Sequence, residues 1–127
     1  MGAPTEHSIY DESFVAGEAL LTPFVHVVRS TEGLVVAGGA GDASPGILQG
    51  KAASGEAAQV RLLGRSKALV NGTTAIAVGD PLTTGANGKL VKAVTNKDWV
   101  LAHAEQVAAA DNLIIDVTMT GPYRANI

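Results

Sequence analysis

The chain has 127 residues, 46% of them hydrophobic, a formal net charge of −3 and no cysteine. That length fits one domain able to bury roughly two-thirds of its unfolded surface, and 33 Val, Ile, Leu and Phe residues exclude a wholly disordered chain. The acidic balance argues against a general nucleic-acid binder, and the missing cysteine excludes a disulfide scaffold, a thiolate metal site and a cysteine nucleophile.

Residues 1–16 (MGAPTEHSIYDESFVA) read as an extended arm. They have Pro4, scattered polar residues and no hydrophobic period, yet they carry Ile9, Tyr10, Phe14 and Val15. A disordered tail usually lacks such side chains. Two readings stand: the arm docks on a partner or a neighbouring subunit, or it folds back on its own domain. On the first, Tyr10, Phe14 and Val15 are the candidate contacts. Deleting residues 1–16 is then expected to weaken docking and leave the rest folded.

Residues 17–120 read as the folded domain, and 121–127 as a C-terminal tail. GEALLTPFVHVV (17–28) turns β-branched toward its end, and Pro23 disfavours both a long helix and a central strand there. Thr31-Glu32-Gly33 reads as a turn, LVVA (34–37) as a short strand and GGAGDASPG (38–46) as a loop that is flexible by composition. Residues 47–53 are ambiguous, and Ser54-Gly55-Glu56 is a turn signal. QVRLLG (59–64) sets Val60 and Leu62 against Gln59 and Arg61, the period of a half-buried strand. KALV (67–70) is another short run. Asn71-Gly72 is a hairpin dipeptide because both residues tolerate positive φ, and TTAIAV (73–78) reads as the next strand. Residues 79–94 hold a Pro turn, a second Asn-Gly at 87–88 and the alternating run LVKAV.

DWVLAHAEQVAAADN (98–112) pulls two ways. Its Ala, Leu, Glu and Gln favour helix. Its pattern places Trp99, Leu101, His103 and Glu105 on one side and Val100, Ala102, Ala104 and Gln106 on the other. That is not helical amphipathicity, so strand–turn–strand is preferred. LIIDVTM (113–119) is a strand. Eight or more short strands with Gly, Asn and Pro turns indicate a small β-barrel or sandwich. With 21 Ala, 15 Gly and five aromatics, its core must be made of small and β-branched side chains. No period of 20–50 residues repeats, so a solenoid is excluded.

Charge is uneven along the chain. Residues 1–18 carry Glu6, Asp11, Glu12 and Glu18 and no base, whereas 51–97 carry seven bases against Glu56 and Asp80. This suits charge-complementary contact between neighbouring copies, or is ordinary solvated surface. No run approaches 18 apolar residues, so no membrane span is expected. The first fifteen residues do not resemble a signal peptide. The expectation is a soluble chain, intracellular or part of an assembly made there.

Chemistry is sparse. His7, His26 and His103 lack ligand-like neighbours at metal spacing. His26 and His103 read as pleat positions facing solvent or as satisfied polar groups. Gly64-Arg65-Ser66 lacks the closing glycine of a nucleophile elbow. Gly38-Gly39-Ala40-Gly41, Gly50-Lys51 and Gly88-Lys89 lack the ending of a phosphate loop. Asn71-Gly72-Thr73 matches a glycosylation acceptor, but the turn reading is preferred without a secretory route. Asp80 before Pro81 reads as a turn initiator. Asp98 and Asp111 flank the ambiguous segment, and Asp116 reads as a solvent-facing strand charge of the kind that blocks edge pairing. Trp99 is core filler or an interface anchor. No enzyme activity, metal or cofactor is expected.

Several phrases then occur in a recognisable order. They are Gly17-Glu18-Ala19-Leu20, Gly46-Ile47, Gly55-Glu56 followed by Val60 and Gly64, and Gly79-Asp80-Pro81-Leu82 with Gly88-Lys89. Trp99-Val100-Leu101-Ala102-His103-Ala104-Glu105 and Leu113-Ile114-Ile115-Asp116-Val117 close the series. Over residues 17–119 the chain resembles the head decoration, or capsid cement, proteins of tailed bacteriophages. The resemblance implies an all-β fold, a small β-barrel or tulip-like sandwich with an extended N-terminal arm, and a structural role. It also implies a homotrimer on the outer surface of a mature head, with the major capsid protein as partner and neither nucleic acid nor membrane. In that family the stretch matching 98–106 is a strand. The loop 38–46, the tail Gly121-Pro122-Tyr123-Arg124 and the longer, more aromatic arm depart from the common pattern. A tail- or fibre-associated β module of a virion is the alternative.

Overall fold

The computed structural model describes residues 9–126, which form ten strands. In chain order they are β1 (Tyr10–Val15), β2 (His26–Arg29), β3 (Val35–Ala37), β4 (Gly46–Leu48), β5 (Ala57–Asn71), β6 (Pro81–Thr84), β7 (Leu90–Lys92), β8 (Trp99–Ala104), β9 (Asp111–Met119) and β10 (Tyr123–Arg124). The only helical element among them is one 3-10 turn, Ala86–Gly88.

β5 organises the rest. Its 15 residues serve two different sets of neighbours. Up to Leu63 it pairs with β1, and from Gly64 onward it pairs with β9. Gly64 has φ +100, a conformation that side-chain-bearing residues rarely adopt, so the glycine lets one strand bend between partners. The sequence suggests two strands here because Arg65-Ser66 interrupts the apolar alternation. The inward periodicity in fact continues through Ala58, Val60, Ser66, Ala68 and Val70. Buried Ser66 is satisfied by Gln49 Nε2 at 2.9 Å and by the Lys67 carbonyl at 2.8 Å.

The second half of β5 belongs to a closed five-strand barrel. Pairings run β5–β9, β9–β8, β8–β6, β6–β7 and, through the parallel pair Val70–Leu90, back to β5. Closure removes exposed sheet edges. Leu82, Leu90, Leu101, Ile115, Val117 and Met119 fill the interior, joined by Ile47 from β4. The first half belongs to a second ring, β1–β5–β4–β2–β3. It closes through one parallel bridge, Ala16–Val35, and the adjacent Gly17 N–H to Val35 carbonyl bond of 2.8 Å. Leu20, Val25, Val27, Leu48 and Val60 form its core, with Phe14 packed against it.

Residues 10–15 of the expected arm thus lie back on β5, and Ala16 is buried. Pro4, His7 and the rest of residues 1–8 lie outside the described residues. Deleting 1–16 would remove a strand paired with β5 together with the core contacts of Phe14 and Ala16, so the expectation that the remainder stays intact is revised. Within the expected tail, Tyr123 and Arg124 pair with β8. The stretch 98–112 is strand, connection and strand, as the alternation indicates.

Three local expectations change. Asn71-Gly72 does not close a hairpin onto 73–78. Asn71 Oδ1 instead accepts the Thr73 N–H at 3.0 Å in a side-chain turn, and of 73–78 only Ile76 forms a bridge, to Ala108. The second dipeptide does close a hairpin: Asn87 and Gly88 both have positive φ, between the paired β6 and β7. Asp116 sits within β9 opposite Lys67, whose Nζ is 3.1 Å away, and does not guard an edge.

The loop 38–46 is pinned. Ser44 is buried, with its hydroxyl donating to the Val27 carbonyl at 2.6 Å. The Gly41 N–H donates to the Thr84 carbonyl at 3.1 Å, and the Gly88 N–H to the Gly38 carbonyl at 2.9 Å. The Thr84 hydroxyl donates to the Asp42 carbonyl at 2.8 Å. The last three bonds seam the two rings together, because one partner of each lies in the 84–88 turn of the barrel.

Candidate interaction surface

Where the two rings meet, an apolar groove of about 420 Å³ opens to solvent. Tyr10 comes from the start of β1, Leu62 and Leu63 from β5 just before its bend, and Pro45 from the pinned loop. Trp99 and Pro122 supply the barrel side. Tyr10 is 49% exposed and Leu63 36%. Exposed apolar side chains are ordinary when single, and informative when they adjoin in a concave site.

Local structure explains how each wall residue comes to be there. A register shift between Tyr10 and Asp11 re-aims Tyr10 relative to the rest of β1. Glu12, whose charge is the main influence, together with partial desolvation, pushes the Tyr10 phenol above its usual pKa. Trp99 is fixed at both ends: its indole N–H donates to the Ser44 carbonyl at 2.9 Å, and the Arg124 guanidinium lies 4.9 Å from its ring centroid. Asp11 holds β1 down through two bonds to Arg61, at 2.8 and 3.1 Å. That pairing holds the Asp11 carboxyl below its usual range.

The structure separates the three sequence candidates. Tyr10 lines the groove. Phe14 faces inward against the second ring's core, with the Arg29 guanidinium 5.0 Å from its centroid. Val15 is exposed at the far end of β1, opposite Ala57. Leu63, Pro45 and Pro122 were not legible as surface residues, since only the fold brings them together. The signal for Trp99 was present in its lone occurrence.

A second, polar cleft is lined by Gln49, Arg61, Arg65, Ser66, Lys67 and Asp116. Its cations are answered by carboxylates: Arg61 by Asp11 at 2.8 Å, Lys67 by Asp116 at 3.1 Å and Arg65 by Glu105 at 4.0 Å. Little net charge is left for a ligand. Among the described residues no three His, Asp or Glu side chains gather as a metal site requires. His103 Nε2 lies 2.8 Å from the Tyr123 hydroxyl and the two rings stack, so His103 is a satisfied polar group as expected. His26 is not: it is fully buried and one ring nitrogen has no partner. The described surface offers packing contacts more readily than reactive groups.

No family model and no curated protein matches the chain. Among solved structures it is similar to the head fiber gp8.5 N base of bacteriophage phi29, with a TM-score of 0.65 at 16% identity. The match covers 88% of this chain and 94% of that one. At that identity the likeness is one of fold, and it extends over both rings rather than the barrel alone. It accords with the small all-β barrel expected from the strand spacing.

Proposed function

We propose that this chain is a structural protein of a tailed-phage virion, seated on the outer surface of the head as a decoration protein or as the base of a fibre. The observation that carries the reading is the nearly full-length likeness to a head-fibre base. The ordered motifs that resemble head decoration proteins point independently to the same place. The partner on this reading is the major capsid protein, and the working unit is a homotrimer. Repetition over a shell makes weak single contacts firm, which fits a surface built for packing. The apolar groove is the seat, with Tyr10, Leu63 and Trp99 as its anchors, because aromatic and apolar side chains in a partly enclosed site dominate binding energy.

Cosedimentation with purified mature heads, tails and unassembled capsid protein tests the reading. Binding to heads alone is expected. Leu63→Glu, at an exposed position, is expected to weaken it by about tenfold or more, worth about 1.4 kcal/mol. Binding to tails alone, or equally to free capsid protein, would overturn it. Light scattering on the purified chain checks for the trimer. Fibre and decoration readings separate on whether a longer fibre protein is retained on the head through this one.

A further inference from the structure

The seam between the two rings contains a titratable group with nowhere to put a second proton. His26, on β2, is fully buried. Its Nε2 lies 2.9 Å from the Gly85 carbonyl, so that nitrogen carries the hydrogen and donates it across the seam. Nδ1 is then a bare lone pair, buried and without any partner. Gly38 lies flat against the ring, and a Cβ at that position would overlap it. No space remains there for a water or a ligand. The neighbourhood is almost without compensating charge. Asp42 is the one carboxylate acting on the ring, and its Oδ2 already accepts the Gly39 N–H at 2.7 Å. Lys89 contributes through its backbone, while its ammonium is engaged by Asp111 at 2.9 Å. Arg29, on the same strand, is exposed and turned to the Gly33 carbonyl.

We propose that His26 is a pH-sensitive latch: protonating its buried Nδ1 opens the seam of loop 38–46 against the 84–88 turn before either ring unfolds. A proton there creates an N–H aimed at packed backbone with no acceptor, which costs far more inside the fold than in water. The cheapest relief is local, since backing Gly38 and Gly85 away from the ring hydrates it. The same movement breaks the Gly41–Thr84 and Gly88–Gly38 bonds and releases the Ser44 carbonyl that holds Trp99.

The sign follows from burial, the dominant influence, which pushes the His26 pKa below its ordinary 6.5 and outweighs the opposing pull of the Gly85 carbonyl, Asp42 and the Lys89 backbone. In the open seam the ring recovers an ordinary value. Between the two values the open form binds more protons, so the closed seam is favoured above about 6.5 and loses ground as pH falls.

The test is amide hydrogen exchange on the full chain at about pH 7.5 and about pH 5, corrected for intrinsic rates. Protection of the Gly41 and Gly88 amides is expected to fall about tenfold more than that of the barrel amides of Leu82 and Val117. Trp99 emission should shift to the red over the same range. In His26→Gln, which retains a donor for Gly85 and cannot titrate, both changes should vanish. If that variant does not fold, NMR titration of the native imidazoles decides: His26 must titrate below 6.5 together with the loss of seam protection. Ordinary titration of His26 would overturn the latch. So would seam and barrel opening together, or an unchanged acid response in His26→Gln.

Discussion

The two rings share one strand and one style of closure, yet they differ in what fills them. Each has a thin join of a single parallel pair, Val70–Leu90 in the barrel and Ala16–Val35 in the second ring. Behind the barrel's join stand Leu82, Leu101, Ile115 and Met119. The second ring has Val and Ala at most of its core positions, with Phe14, Leu62 and Leu69 only half inside. Closure in hydrogen bonds therefore does not by itself rank two rings; the volume of apolar side chain behind the join does. The less filled ring is also the one that carries Tyr10, the pinned loop and most of the groove. The groove thus lies mostly on the part of the fold with the thinner core, where local opening costs least.

Leu82→Ala breaks the comparison at its stronger side. It empties a fully buried site and should cost about 2–5 kcal/mol of global stability in urea melts. If the barrel is the more stable unit, the second ring cannot survive its loss. Gly64→Val attacks the bend they share. Forcing a β-branched residue to positive φ should cost about 1–3 kcal/mol and reduce the cooperativity of thermal unfolding. Phe14→Ala acts on the second ring alone. Because the ring is only half buried, about 1–2 kcal/mol is expected, read as faster exchange in β1 with the barrel unchanged.

Asp11→Asn sharpens the same contrast more gently. The pair with Arg61 is partly exposed, so the loss should be under about 1 kcal/mol. Its pH dependence has a definite sign. The folded pKa lies below the ordinary 3.8, so the contribution is complete above that value and is lost as pH falls toward the folded pKa. Acid melts of the native protein should show this loss and those of Asp11→Asn should not. Lys67→Met, breaking an exposed cross-strand pair on the barrel, should change stability by no more than about 0.5 kcal/mol.

The fold class and most strands were legible because period-two alternation survives wherever one face is buried, as in β5 and the second half of β9. Asn87-Gly88 announced its hairpin because its backbone requirement is local. Asn71-Gly72 has the same composition and a different fate, since β5 finds its partner in β9, forty residues on, rather than in the next segment. The pinned loop could not be read from GGAGDASPG, because the groups that hold it, Thr84, Gly88 and Trp99, lie far along the chain. The environment of His26 is hidden for a related reason: its burial is set by Gly38 and the 84–88 turn, not by its flanking residues. The groove was half visible. Tyr10 and Trp99 stood out as rare aromatics in unusual places, but Leu63 and Pro122 became surface partners only through tertiary structure.

The continuity of β5 has a mechanical meaning. A pull along its axis stretches the β1 ladder at one end and the β9 ladder at the other. Their hydrogen bonds run across the strand, so the load falls on them in shear, many at once, rather than peeling them one after another. On the proposed function, a shell that swells under internal pressure would pull sideways on a protein fastened to it. One uninterrupted strand through both halves of this molecule is the arrangement that passes such tension from one side to the other without opening the joint between them.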